Sequence, residues 1–323
     1  MAALYRPVVP EDNPGTFSQE RLLYIFYQLL GLCALVPNIC LFTVLCYYKI
    51  YRRDYMLVIM LCFTDSVNCL SIIIMGSTLF EVYDKGIKEN LFPVEDSWIC
   101  AQSAFMCLRL IGNTAGPLFQ VVIAIDRFIC IRFMFWSQRF SHWRQPFLLA
   151  VVFFTCGSII FVGLLLAYSQ RGIPIATVCG RKAAFGQAFG EMIYCLLIFG
   201  YLVAVFINIM SYLVVSLNGI SGSSSNVHKL KQAAAVSFMS FILISVPNIS
   251  AILEANLPVN QVFLHMTVLA GLLAYSLNLF IYMAISRPFR QRVVNLLLCG
   301  IKSYKKWSTS TQTRATRSQT VLE

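Results

Sequence analysis

The sequence predicts an all-α membrane protein: a seven-helix transmembrane bundle with a short amphipathic eighth helix and its amino terminus outside. Three observations predict this fold class, namely the composition, the spacing of the apolar runs and the placement of the cationic residues. The chain has 58% hydrophobic residues, 12% charged residues and a mean hydropathy of +0.72. This composition leaves too little polar surface to cover a water-soluble globule.

Apolar runs alternate with short polar segments along the chain. A run of about 20 apolar residues crosses a hydrocarbon core roughly 30 Å thick. The predicted spans are, in order, 22–48, 55–80, 98–131, 147–168, 187–217, 232–257 and 262–285. These spans divide the chain into an extracellular arm (1–21), a transmembrane domain (22–285), an amphipathic helix (286–300) and a disordered cytoplasmic tail (301–323).

Most of the 25 lysines and arginines fall in the segments on one side of these spans. Cationic loops stay in the cytoplasm, so the amino terminus is predicted to be outside and the carboxyl terminus inside. The first residues lack the apolar core of a signal peptide, and the first span is expected to act as its own insertion signal. The net charge of +11 lies along the inner face, where anionic membrane lipid is the expected partner and nucleic acid is not.

Most of the twelve cysteines lie inside apolar runs, where they act as small hydrophobic residues. Cys100 and Cys179 lie on the outer, oxidising side and within reach of each other, which predicts a disulfide; the alternative is two free thiols. Such a bridge would pin the loop after the fourth span against the third helix as a wall over a cavity. Cys299 follows a basic cluster at the inner surface and is a candidate lipidation site.

Polar residues inside the spans need partners, because an ionisable group in hydrocarbon costs several kcal/mol. Asn38, Asp65 and Asn278 occupy similar depths in three spans. They are predicted either to converge on a water-filled pocket that holds Na⁺, with Asp65 as the formal charge, or to join the helices by hydrogen bonds. No other cofactor or metal is expected.

Four motifs occur in a characteristic order. "VIAIDRF" ends the third span with Asp126 and Arg127, "FILISVP" places Phe241 before Pro247 in the sixth, and "NLFIY" runs from Asn278 to Tyr282 in the seventh. Phe289 then begins an amphipathic stretch whose arginines face lipid headgroups and water. Each motif alone is weak evidence for a protein family, but the four motifs in this order are strong evidence.

On these motifs, the sequence resembles the rhodopsin-like G-protein-coupled receptors over nearly its whole length. Phe128 replaces the tyrosine of the family's Asp-Arg-Tyr, Leu279 the proline of Asn-Pro-x-x-Tyr, and Ser245 the sixth-span tryptophan. Val227 stands where many members carry an acid that locks the arginine to the sixth helix. With its short loops, the chain is most similar to the nematode chemosensory serpentine receptors, class SX.

The resemblance implies a receptor for a chemosensory, small-molecule or peptide ligand. Arg127 rests against Asp126 until a ligand bound outside moves helix six outward about Pro247, and a heterotrimeric G protein then inserts its α-subunit helix. Tyr282 and Tyr212 are expected to refill the space around Arg127. Kinase and arrestin are candidate partners of the tail, and the location implied is the plasma membrane, as a multi-pass protein, with sensory cilia as a candidate site.

Arg109 is the most informative ligand position, because it lies about five helical turns before Arg127 on the same face of the third helix. Aminergic family members carry an aspartate at the matching position, so an arginine argues against a monoamine. Arg109 is expected either to bind an anionic or carbonyl-bearing ligand or to pair with Glu191. The other candidate ligand residues are Gln102, Phe105 and His265.

Two other protein classes were weighed against a receptor. A transporter of small solutes would show internal repeats and discontinuous helices, and no repeat is evident. An intramembrane enzyme needs a convergent nucleophile and base or a metal set, but the three histidines are scattered over both sides. The transporter remains the alternative, and an enzyme is not expected.

Overall fold

Long apolar helices make up most of the chain. The computed structural model describes residues 4–8, 14–94, 96–133, 141–175, 179–217, 224–253 and 261–297. In chain order the elements are β1 (Leu4–Pro7), a 3-10 turn (Pro14–Thr16), α1 (Phe17–Tyr47), α2 (Lys49–Asp54), α3 (Met56–Glu89), β2 (Leu91–Val94), α4 (Ser97–Gln102), α5 (Ala104–Arg132), α6 (Ser141–Ser169), α7 (Arg181–Phe185), α8 (Gln187–Leu217), α9 (Ser224–Ser240), a π-helical turn (Phe241–Ser245), α10 (Val246–Leu253), α11 (Gln261–Ile285) and α12 (Arg287–Leu297).

Seven helices of the described chain are long and apolar enough to cross a membrane, which confirms the predicted seven-helix bundle. The first to seventh spans are α1, α3, α5, α6, α8, the continuous helix from α9 through α10, and α11. The third span is the most buried and the fourth the least, so the third lies at the centre of the bundle. Cys100 and Arg127 mark opposite ends of the bundle, called below the Cys100 end and the Arg127 end.

Several spans run beyond their predicted limits. The first begins at Phe17, and the second continues to Glu89 before Asn90 ends it in the left-handed conformation. Hydropathy marks only the part of a helix that lies in hydrocarbon, whereas backbone hydrogen bonding continues into the polar region. The predicted third span is interrupted at Ser103, which is extended and whose hydroxyl donates to the Cys100 carbonyl at 2.7 Å.

The amino-terminal arm takes part in a small sheet. β1 pairs antiparallel with β2, with Leu4 opposite Val94 and Pro7 opposite Leu91. Arg21 and Lys88 both contact the carboxylate of Asp84, at 2.9 and 2.7 Å. The arm predicted from the sequence is therefore tied to the end of the second span at the Cys100 end.

The sixth span changes its helical pitch just before Pro247. The Val246 N–H donates to the Phe241 carbonyl, five residues back, so 241–245 form a π-helical turn. Proline has no N–H to donate and its ring crowds the carbonyl four residues earlier, which accounts for a local change in the ladder at this position. Single π turns of this kind occur often at functional sites.

The third and fifth spans approach each other closely where Gly200 faces Pro117. A Cβ added to Gly200 would lie 2.6 Å from the Pro117 Cβ, so only glycine fits here without a shift of the helices. This contact places the middle of the fifth span against the central helix. Apolar clusters fill the bundle on both sides of this level.

Candidate functional site

A disulfide joins Cys100 to Cys179, with 5.6 Å between their Cα atoms, which confirms the predicted bridge. The loop after the fourth span is held a second time by Asp96. Its Oδ1 accepts from the Ile99 N–H at 2.8 Å, capping α4, and its Oδ2 accepts from the Gly172 N–H at 3.0 Å. The bridge and the cap together fix this loop over the top of the third span.

A partly open cavity lies inside the bundle at the Cys100 end. It is small, with a volume of about 40 Å³ accessible to a water-sized group, and it is partly open to solvent. Its polar lining comes from the second, third and seventh spans and from the segment after the disulfide; these residues include Asn68, Ser71, Arg109, Asn113, Arg181 and Tyr275. The sixth span contributes Ile244 and Asn248 to the same wall.

Arg109 lines this cavity and is half-buried. Its Nη1 donates to the Met75 Sδ at 3.2 Å, and a thioether is a weak acceptor. Glu191 instead accepts a 2.9 Å hydrogen bond from Gln187 in its own helix, and Arg109 forms no salt bridge with it within the described chain. The structure therefore does not contain the Arg109–Glu191 pair that was one of the two expectations for Arg109.

Arg181 brings a second guanidinium to the cavity. Its guanidinium carbon lies 4.3 Å from the centre of the Tyr194 ring in the fifth span, and its Nη1 is buried without a hydrogen-bond acceptor in the described chain. None of the residues that line the cavity is acidic. Among the described residues, the wall of the cavity therefore carries two cations and no carboxylate.

The other candidate ligand residues lie outside this wall. Gln102 is exposed in the short helix α4, and Phe105 is buried in the apolar cluster at the Cys100 end. His265 Nδ1 lies 2.7 Å from the Tyr27 hydroxyl, and its Nε2 lies 4.0 Å from Glu20. Gln102 lies before a break of the helix at Ser103, a feature that the apolar run does not reveal, whereas Phe105 lies after it in the same helix as Arg109.

Midway through the bundle, Asn278 donates to the Asp65 Oδ2 at 2.7 Å and so joins the seventh span to the second. Asn38 points elsewhere: its Nδ2 donates to the Ala34 carbonyl at 3.0 Å, and its Oδ1 is buried without a partner among the described residues. This geometry supports the helix-joining alternative for Asp65 and Asn278. No cluster of three or more histidine, cysteine or acidic residues occurs within the described ranges. Na⁺ near Asp65 stays a prediction.

A buried chain of hydrogen bonds crosses the bundle between this level and the Arg127 end. Asn208 in the fifth span donates to the Ser237 hydroxyl at 3.0 Å, and Ser237 in the sixth donates to the Gln120 Oε1 in the third at 2.9 Å. The sequence does not predict this chain, since a serine or glutamine in a helix has no distinctive pattern. The chain connects the third, fifth and sixth spans.

Asp126 is fully buried and has two cations beside it. The Arg144 Nε in the fourth span donates to its Oδ1 at 2.6 Å, whereas the Arg127 Nη2 lies 3.8 Å from its Oδ2. Arg127 also donates a long 3.4 Å hydrogen bond to the Asp54 carbonyl. The predicted neighbour of Arg127 is therefore present, but Arg144 is the closer partner of that carboxylate.

Tyr55 lies between two cations at the Arg127 end. Its ring centre lies 5.8 Å from the Arg127 guanidinium carbon and 5.2 Å from the Lys229 Nζ, and its hydroxyl donates to the Gln232 Oε1 at 3.3 Å. Lys229 in turn donates to the Asp54 Oδ2 at 2.8 Å. The sixth span is thus tied to the segment before the second.

Tyr282 and Phe289 pack together beneath this cluster, with ring centres 5.7 Å apart, and Tyr282 also contacts Tyr55 at 6.3 Å. Phe289 is buried in α12, the helix after the seventh span. Tyr212 lies apart from them. It is 52% exposed and lines an apolar groove between the fifth and sixth spans with Phe238 and Lys231.

The sequence contained signals for some residues that were missed. Arg181 follows Cys179 by two positions, so a bridge that anchors Cys179 also brings Arg181 over the bundle. Asp54 is an acid inside the basic stretch "YRRDY", which suggests a local partner. The sequence gives no comparable indication for Arg144 and Lys229, because it only assigns them to the positively charged face of the membrane. Cys299 and the tail lie outside the described residues.

Comparison with known proteins agrees with this arrangement. The family model for the serpentine type 7TM GPCR chemoreceptor Srsx matches residues 29–297, a range that runs from the first span to the end of α12. No curated protein matches the chain. The matched range contains the cavity, the disulfide and the Arg127 cluster, and it covers most of the sequence. The chain therefore belongs to the family of serpentine type 7TM GPCR chemoreceptors Srsx.

Proposed function

We propose that this protein is a plasma-membrane chemoreceptor that binds a small molecule in the cavity at the Cys100 end and activates a heterotrimeric G protein at the Arg127 end. In this proposal the amino terminus and the Cys100 end face outward, as the distribution of lysine and arginine predicts. Sensory cilia are the proposed location within the plasma membrane. Kinase and arrestin would act on the hydroxyl-rich tail after activation.

The observation that carries the proposal is that one helix reaches both sites. The sixth span lines the cavity with Ile244 and Asn248 and carries Lys229 and Gln232 at the Arg127 end. The π turn and Pro247 lie at the cavity level of this helix. A ligand that pushes on Ile244 or Asn248 would therefore bend the helix where its hydrogen-bond ladder is already irregular, and the Arg127 end would swing outward.

In the resting state the Asp54–Lys229 ion pair holds the sixth span closed. This chain has Val227 where many rhodopsin-like receptors carry the locking acid on the sixth helix. In the Asp54–Lys229 pair the charges are exchanged, because the sixth span supplies the cation and the segment before the second span supplies the acid. Tyr55 sits between Lys229 and Arg127, so opening the pair would uncover Arg127. The G-protein α subunit would then bind in the space that is released.

Opening this ion pair is expected to raise signalling without ligand. The Asp54 side chain is 44% exposed, so the pair contributes no more than about 1 kcal/mol, and Lys229→Met or Asp54→Asn should raise basal output of a promiscuous G-protein reporter by up to about fivefold. Lys229→Arg keeps the charge and should leave basal output near that of the native chain. Basal output that is equal in all four proteins at equal surface expression would contradict the role of this pair.

The receptor assignment itself is tested by adding Arg127→Ala to the Lys229→Met protein. Loss of the buried arginine should lower reporter output by roughly tenfold or more, because it removes the group that the G protein is expected to contact. A matched control is Arg132→Ala, near the end of the same helix. A small-solute transporter would instead show flux with no dependence of reporter output on Arg127.

A further inference from the structure

We infer that the ligand of this receptor is a small organic carboxylate, bound by the guanidinium groups of Arg109 and Arg181. This inference rests on the proposed function only in taking the cavity at the Cys100 end as the ligand site. It is carried by the charge of the cavity wall, by donors that lack acceptors, and by the apolar remainder of the wall.

The described wall of the cavity carries positive charge without a counter-charge. Two arginines line one cavity, and neither forms a salt bridge with an acid in the described part of the chain. Side chains of this type inside a bundle are costly unless a counter-charge or strong acceptors compensate them. Met75 Sδ and the face of the Tyr194 ring are weak partners for such groups. An anion in the cavity would supply the compensation that the described side chains do not.

The geometry of the guanidinium fork also favours a carboxylate ligand. Arg181 has a buried Nη1 with no acceptor in the described chain, and Arg109 uses Nη1 only toward a sulfur. A guanidinium presents paired N–H groups that match the two oxygens of a carboxylate. The amides of Asn68 and Asn113 line the same cavity and make no hydrogen bond to other described side chains, so they can serve the remaining oxygen lone pairs.

The rest of the wall points to an organic anion and away from a simple inorganic one. Ile72, Leu197, Ile244 and Val268 line the cavity beside the polar groups. These side chains would contact the hydrocarbon part of a ligand whose carboxylate meets the arginines. Ile244 belongs to the π turn of the sixth span, so the apolar part of the ligand would touch the helix that is proposed to move.

The test measures thermal unfolding of the purified full-length receptor with matched compounds. Hexanoate and benzoate are compared with hexanamide, benzamide, hexylamine and benzylamine, and with chloride and inorganic phosphate at equal ionic strength. We expect at least one carboxylate to raise the unfolding temperature and its amide and amine to have no comparable effect. Arg109→Met and Arg181→Met should each weaken the carboxylate effect by roughly 10- to 100-fold in concentration.

Controls separate charge recognition from folding. Arg171→Met removes a cation of the same loop that stacks on Tyr168 and does not line the cavity, so carboxylate binding should be unchanged. Arg109→Lys keeps the charge without the fork and should give an intermediate loss, and Arg109→Glu should shift preference toward the amines. These variants keep the inference testable if one methionine variant fails to fold.

Several results would overturn the inference: equal stabilisation by acids and amides, equal stabilisation by chloride or phosphate, no stabilisation by either carboxylate, or no effect of both methionine substitutions. Binding is measured without a G protein, so the inference and the proposed function fail separately. Carboxylate selectivity without reporter output would contradict the coupling and leave the ligand class standing. Reporter output driven by neutral or cationic compounds would contradict the ligand class and leave the G-protein coupling standing.

Discussion

Replacing Asp126 with alanine is expected to lower the free energy of unfolding by about 3–5 kcal/mol, the usual result of removing one partner of a buried ion pair. The reason is that the Arg144 and Arg127 side chains, which are 11% and 8% exposed, would lose the carboxylate that they share. Asp126→Asn should cost less, because the amide oxygen can still accept from the Arg144 Nε. Thermal unfolding of the purified protein and its surface fraction in cells measure the loss.

Two controls identify the buried carboxylate as the cause. Asp54→Asn removes a half-exposed acid at the same end and should change the unfolding free energy by no more than about 1 kcal/mol. The double change Asp126→Ala with Arg144→Met should cost less than the sum of the single changes, because it also removes the Arg144 charge that the Asp126 carboxylate compensates. The explanation fails if Asp126→Ala is no more destabilising than Asp54→Asn.

Replacing Cys179 with serine is expected to lower the free energy of unfolding by about 2–5 kcal/mol. The bridge closes a loop with a sequence separation of 79 and therefore restricts the unfolded chain strongly. It also anchors Arg181, two positions later, so the change should weaken carboxylate binding as well. Unfolding temperature and carboxylate titration of the same purified protein measure the two effects.

The matched control for this change is Cys33→Ser, because Cys33 is an exposed free cysteine in the first span. It should leave both quantities near native values. The double change Cys100→Ser with Cys179→Ser should be no worse than either single change, and a reducing agent should lower the unfolding temperature of the native protein only. A double change that costs the sum of the two singles would mean that the thiols act separately and not as a bridge.

The disulfide and the number of spans were predicted because each depends on local features of the chain. A long apolar run must become a helix in hydrocarbon, and the two spans between Cys100 and Cys179 return the chain to the same side of the membrane. The family could be recognised for a similar reason, because the order of its motifs along the chain can be read without knowing how the helices pack. Helix ends were less accurate, because α1 and α3 continue past their apolar parts.

The sequence predicts the interaction partners of side chains less accurately than it predicts the number of spans. Glu191 was offered as a partner for Arg109, but the structure places Arg181 beside that cavity and leaves Glu191 bonded within its own helix. Each residue turns a helix by about 100°, so an error of one position in rotation moves a side chain to another face. The break at Ser103 changes the helix direction in this way for Gln102.

By itself, the sequence determined that this is a seven-helix membrane receptor with one bridge at the Cys100 end and a charged motif at the other. Only the tertiary structure decided that Asp126 pairs most closely with Arg144, that Lys229 ties the sixth span to Asp54, and that two arginines share a cavity whose described lining contains no acid. The physical reason is the distance along the chain over which each feature is determined. Hydropathy and motif order act along the chain, whereas a short-range ion pair in a low-dielectric interior depends on the rotation, tilt and spacing of helices that are distant in sequence.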